Sequence, residues 1–143
     1  MKKSIYSLIM TLLLTACATG ITDEQPVVAG HYIKNLCVNG NFRAVPKDFL
    51  PSLETSLQRK GMNIVKASED EQQIQCDYLI RFKGKGNKRI LAMVKVDVID
   101  LKNGKNNIGT VLYERRGEEK ARVKELSLQG QTDLIINHLF KNY

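Results

Sequence analysis

The side chains of this 143-residue chain whose types and spacing could do chemistry are three cysteines, two histidines and a dense group of lysines and arginines. Cys17, Cys37 and Cys76 form no CxxC pair and no Cys/His spacing of the kind that holds zinc, so neither a metal nor a cofactor is expected. Nucleophilic catalysis needs a base oriented beside Ser or Cys. Only His31 and His138 offer an imidazole, and no nucleophile elbow or zinc-protease motif accompanies them. His31 reads as a solvated or edge residue and His138 as a surface or boundary residue. Asp77, Asp97 and Asp100 fall where strand faces alternate toward solvent, which argues against a hydrolytic carboxylate pair. The chain therefore reads as a non-enzyme. The basic group is the more informative one: Arg81, Lys83, Lys85, Lys88 and Arg89 gather on one predicted hairpin, with Lys95 beyond it and Arg115 and Arg116 ending the next strand. If those strands are neighbours, the sheet presents a cationic surface suited to phosphate or carboxylate groups. The same charges would also keep an exposed face or an edge strand from aggregating.

The first seventeen residues set the compartment. Lys2 and Lys3 form a positive start, Ile5 to Leu14 an apolar core, and small residues lead into Cys17, in the pattern of a secretory signal. An apolar run of about ten residues is well short of the ~20 that span a bilayer as a helix, so residues 1–16 are read as removed rather than as an anchor. Leu14-Thr15-Ala16-Cys17 resembles the lipobox of bacterial lipoproteins, in which the Cys thiol is lipidated, the signal is cut before it and the new amino terminus is acylated. That resemblance implies a membrane tether through lipid on Cys17. With Ala18 rather than Asp after the Cys, it also implies sorting to the periplasmic leaflet of the outer membrane. Nucleic acid is not expected as a partner there. In this oxidising compartment Cys37 and Cys76 remain as an even pair, either one disulfide or two buried thiols packed as small hydrophobes.

Removal of the first 16 of 143 residues leaves 127, enough for one domain with a real core. It also takes Lys2 and Lys3 from the 22 basic residues, leaving 20 against 15 acids and a net charge of about +5. That balance favours anionic lipid headgroups, glycan polymers or acidic proteins as partners. Residues 17–30, small and polar with Pro26 and Gly30, read as a lipidated start and flexible tether, and 31–143 as a single domain. Residues 31–38 alternate as a first strand, broken by Asn39-Gly40-Asn41. Residues 46–60 predict a helix with Asp48 as N-cap, Pro51 in the first turn, a Leu53/Leu57 stripe and Gly61 past its end. Residues 62–66 read as a short strand, and 68–73 as a solvated acidic loop. Three alternating runs follow, 76–83, 88–101 and 107–115, joined by turns at 84–87 and at Asn103-Gly104, and predict an antiparallel meander. Ile90, Ala92, Val94, Val96 and Val98 are assigned to the inner face of the middle run. Residues 118–143 end in a predicted helix from about Ser127, with Gly130 as a point of close packing. The sum is an α+β two-layer sandwich, a mostly antiparallel sheet of about five strands covered by two helices.

The mature chain also resembles a family of short Gram-negative envelope lipoproteins to which no reaction is assigned. The likeness rests on the lipobox, on Leu36-Cys37-Val38, on Cys76-Asp77-Tyr78 and on Ile108-Gly109 followed by Tyr113. It implies pairing of Cys37 with Cys76 and the α+β layout. The expected function is that of a non-enzymatic outer-membrane lipoprotein whose tethered domain binds another envelope component, an envelope protein in the first instance. The alternative is a binding module for an anionic envelope molecule, lipopolysaccharide or peptidoglycan, through Arg81, Lys83, Lys85, Lys88 and Arg89.

Overall fold

A computed structural model describes residues 20–73, 75–115 and 127–143. The segment expected to be a signal, Cys17, Arg116 and the polar run before Ser127 lie outside the described residues. Six strands and two helices follow in the order β1 (Ile21–Gln25), β2 (Asn35–Gly40), α1 (Phe49–Gln58), β3 (Asn63–Ser68), β4 (Tyr78–Gly86), β5 (Leu91–Asp100), β6 (Asn106–Glu114) and α2 (Leu128–Leu139). They make one sheet in the order β1-β6-β5-β4-β2-β3. The α+β class and the β4-β5-β6 meander are as expected. The sheet, however, is mixed: β2 runs parallel to both β3 and β4. The strand count is six rather than five because β1 lies in the stretch expected to be tether.

β1 escaped notice because its sequence, ITDEQ, carries one apolar residue and so has no period-two signal. It is an edge strand, held by its antiparallel ladder to β6 and by the burial of Val27 two residues past its end. Val27, fully buried, sits directly over Gly109, where an added Cβ would come within 2.4 Å of its methyl. β2 also departs from expectation, starting at Asn35 and running through Asn39-Gly40. That pair is not a turn: Asn39 Nδ2 donates to the Ser68 carbonyl at 3.0 Å, and Gly40 lies under the Phe82 ring with no room for a side chain. In β5 the inward phase slips by one at its start. Leu91 is buried and Ala92 exposed, because a bulge between Lys85 and Gly86 shifts the register there, whereas Val94, Val96 and Val98 face the core as predicted.

Both helices cover one face. Phe49, Leu53 and Leu57 of α1 and Ile135, Ile136 and Leu139 of α2 pack with Leu36, Ile80, Val96 and Tyr113 in a single core. Asp48 occupies the N-cap position of α1 but makes no capping bond with its side chain. The other end closes as a Schellman motif, with Met62 N–H on Leu57 O and Gly61 N–H on Gln58 O, and with Met62 buried beneath it. α2 starts as expected at Ser127, whose hydroxyl accepts from Gly130 N–H at 3.1 Å, so Gly130 is a first-turn residue of the cap.

Two polar devices lock the helices in place. Gln131, 1% exposed, bridges α2 to the sheet: its amide oxygen accepts from Leu91 N–H at 2.9 Å, and its amide nitrogen donates to Leu91 O at 3.0 Å and to Tyr113 Oη at 2.8 Å. Asp133 joins the two helices, accepting from Ser56 Oγ at 2.7 Å, from Gln129 Nε2 at 3.0 Å and from the Arg59 guanidinium. Desolvation pushes the Asp133 carboxyl up, but these donors together outweigh it and hold it below its usual range.

Both devices can be tested by substitution. Gln131→Leu removes three buried hydrogen bonds at once and is expected to cost about 3 kcal/mol in urea unfolding; a loss under about 1 kcal/mol would mean that water replaces the amide. Asp133→Ala is expected to cost about 1–2 kcal/mol at neutral pH. A depressed carboxyl stabilises the fold above its unfolded-state pKa and ceases to do so as pH falls through the folded value. The difference between wild type and Asp133→Ala should therefore begin to shrink as melts are taken below about pH 4 and go on shrinking as the pH falls further.

Candidate functional site

The face of the sheet away from the helices carries the chemistry. Alternation sends Tyr78, Ile80 and Phe82 of β4 into the core and Leu79, Arg81 and Lys83 outward, and the strand runs on with Lys85 outward through the stretch expected to turn. The outer face has two halves. One is apolar, where Cys37, Leu79 and Ile99 pack with Cys76 and Leu101 around the Cys37–Cys76 disulfide. This bond closes a separation of 39 residues, worth about 4 kcal/mol in the chain-entropy account. The other half is charged.

Asp97 is the organising acid of that half. It is 7% exposed, accepts from Thr110 Oγ1 at 2.7 Å and Asn107 Nδ2 at 3.1 Å, and stands opposite Arg81 in the β4–β5 register. Arg81 and Lys95 approach its carboxylate at 3.9 and 3.8 Å, and Arg81 also meets Glu71 at 3.7 Å. Lys83 stands directly opposite Lys95, a like-charge cross-strand pair that is unfavourable in the absence of an anion. Lys85, Lys88 and Arg89 continue the row, all exposed.

The turn that presents the last two is well built. Asn87 Oδ1 accepts from Arg89 N–H at 2.8 Å and Ile90 N–H at 3.0 Å, an Asx turn that fixes the backbone at the tip. The loop before α1 closes on it, with Gly86 N–H on Ala44 O at 3.0 Å, and adds Arg43 and Lys47 to the cationic row. Arg43 is shared between two shallow depressions, one with Lys47 and Lys88, the other with Arg81, Lys83 and Lys95. Arg43, Lys47, Lys83, Lys85, Lys88 and Arg89 make no ion pair with any carboxylate among the described residues.

All five predicted basic residues are thus on one continuous surface. Arg115 joins the same end of the sheet through its N–H on Ala92 O at 2.9 Å. Arg43 and Lys47 escaped sequence reasoning because only tertiary folding brings their loop to the hairpin. The Asp97 cluster escaped it because which acid faces which base depends on register. Elsewhere, His31 lies at 3.4 Å from the Tyr78 hydroxyl. His138 bonds the Glu24 carboxylate, and that bond, with help from Lys141, holds Glu24 below the usual carboxylate range. Among the described residues, no three His, Cys, Asp or Glu stand together in a way that could hold a metal ion.

No protein-family model matches the chain, and no curated protein matches it in sequence. Among solved structures, the fold is similar to that of a PelC dodecamer from Paraburkholderia phytofirmans, at 10% identity and a TM-score of 0.51, over 82% of this chain and 97% of that one. A point variant of the same dodecamer aligns at 10% identity and a TM-score of 0.45, over 79% and 96% of the two chains. At such identity the first likeness speaks to the fold alone.

Proposed function

We propose that this chain is a non-enzymatic lipoprotein of the outer membrane, anchored through Cys17 and facing the periplasm, whose domain binds an anionic envelope component through the cationic row. The observation that carries this reading is the absence, among the described residues, of acid partners along Arg43, Lys83, Lys85, Lys88 and Arg89, next to a buried Asp97 that compensates only Arg81 and Lys95. Protection of a sheet edge does not account for the row. β4 and β5 are interior strands, and the two edges are β1 and β3. Phosphates of lipopolysaccharide and carboxylates of peptidoglycan have the matching chemistry, since Arg and Lys pair with both.

Binding of the protein to lipopolysaccharide and to peptidoglycan fragments, followed across ionic strength, tests this. Lys83→Glu with Lys85→Glu is expected to weaken binding about tenfold at low salt, and Asp97→Asn, which keeps the bond from Thr110, to strengthen it severalfold. Affinity that ignores both changes and is flat with salt would refute the reading.

A second reading, self-assembly, is favoured by the similarity to a protein whose solved form is a dodecamer. Among the described residues β3 is an edge strand with no partner on its outer side, and its Val65 is 57% exposed. Light scattering of the purified protein distinguishes the two: a mass that is a fixed multiple of the chain supports assembly, and a monomer at tens of micromolar removes it.

A further inference from the structure

The strand register fixes the end of the sheet from which the amino-terminal segment departs. Ile21 stands opposite Tyr113, and the Gly20 carbonyl accepts from Glu114 N–H at 2.8 Å. Glu114 stands opposite Met93, and Met93 opposite Lys85. Gly20 therefore leaves at the level of the β4–β5 turn that bears Lys88 and Arg89, with Arg43 and Lys47 closing on that turn from the loop before α1. Both helices also begin at this end. Phe49, the first residue of α1, contacts the Phe82 ring, and Gln131 in the first turn of α2 bonds Leu91, so the positive ends of both helix dipoles add to the same pole.

Cys17 precedes Gly20 by three residues, a span of at most about 10 Å when fully extended. That is close to the distance, about 8 Å at physiological ionic strength, over which exposed charges feel each other. A lipid on Cys17 would thus hold the basic end of the domain within electrostatic reach of the headgroups around it.

We propose that this end of the domain, through Arg43, Lys47, Lys85, Lys88 and Arg89, docks on the anionic phospholipid headgroups of the leaflet that holds the Cys17 lipid. The row is then the second half of a two-part anchor: the acyl chains supply retention and the cations supply orientation. The Lys102–Lys105 loop at the far end of the sheet points away from the membrane. The inference rests on the reading of Cys17 as lipidated and assigns the anion of the proposed function to the surrounding lipid.

The test reconstitutes the membrane-purified protein into phosphatidylglycerol-containing vesicles, with a fluorescent amino acid at exposed Ala92 near the basic end or at exposed Lys105 at the other, and a headgroup-linked quencher in the lipid. Quenching at Ala92 is expected to exceed that at Lys105 at least twofold. The difference should shrink markedly, to what the short tether alone leaves, in Lys85→Glu/Lys88→Glu/Arg89→Glu, in phosphatidylcholine vesicles and in half-molar salt, while the protein stays on the vesicles. All three substituted side chains lie at the surface, and an unchanged melting temperature confirms that the variant folds. Equal quenching at the two positions, stronger quenching at Lys105, or a difference indifferent to charge and salt would overturn the proposal. Lipidation itself is measured separately, by the mass of the amino-terminal peptide. If Cys17 carries no lipid, the same quenching is read on protein joined through Cys17 to a maleimide lipid, so the orientation is decided either way.

Discussion

The constraint on which the rest of the structure depends is the direction of β2. It runs parallel to both of its neighbours, so β3 and β4 point the same way on either side of it. The link from β2 to β3 has the usual solution for parallel strands, a helical crossover, and α1 supplies it. The link from β3 to β4 does not. Ser68 ends β3 level with Asn39 and Arg81, and the chain must come back to Tyr78 across β2 in nine residues. The helices occupy the inner face, so this return crosses the outer one, where Glu71 meets Arg81 and Cys76 joins Cys37 on β2. The disulfide staples that strap to the strand it crosses. Its stabilisation is concentrated at this nine-residue connection, whose helical content is the single 3-10 turn Glu71–Gln73.

The strap divides the outer face. Where it crosses, Leu79, Ile99 and Leu101 gain cover and form a small apolar cluster around the sulfurs. Where it does not reach, Arg81, Lys83 and Lys85 of β4 and Lys95 of β5 meet water and are charged, as alternation on a one-sided sheet favours. Asp97 marks the border. Nearly buried and held by Thr110 and Asn107, it balances Arg81 and Lys95, and among the described residues the rest of the row has no acid partner.

How much of this was legible depends on how local each signal is. The meander, both helices, the Schellman close at Gly61 and the outward set of β4 depend on periodicity and short-range turn chemistry, and the sequence carries these directly. β1 depends on a ladder to β6 and on the seat of Val27 over Gly109, neither of which leaves a hydrophobic pattern in ITDEQ. Asn39-Gly40 looks like a turn and is a strand, because Phe82 claims the space above Gly40. The parallel pairing of β2 is a matter of topology that no local pattern encodes. The basic hairpin was visible as composition, but its extension by Arg43 and Lys47 required knowing which loop meets which turn.

The location of the cationic row is then a consequence of connectivity rather than an independent feature. Among the described residues, a sheet whose inner face is taken by two helices and whose outer face is half covered by a strap keeps its charged outward positions on the uncovered half. That region ends at the β4–β5 turn because the strap crosses nearer the opposite end. β1, antiparallel to β6, must start at the level where β6 finishes, which is the same end. The amino-terminal exit and the cationic row are therefore neighbours for topological reasons, and the helix dipoles share their polarity because α1 and α2 both start there. A lipid at Cys17 would turn that shared polarity into an orientation, since a basic pole on a short tether lies at lower free energy against an anionic surface than away from it.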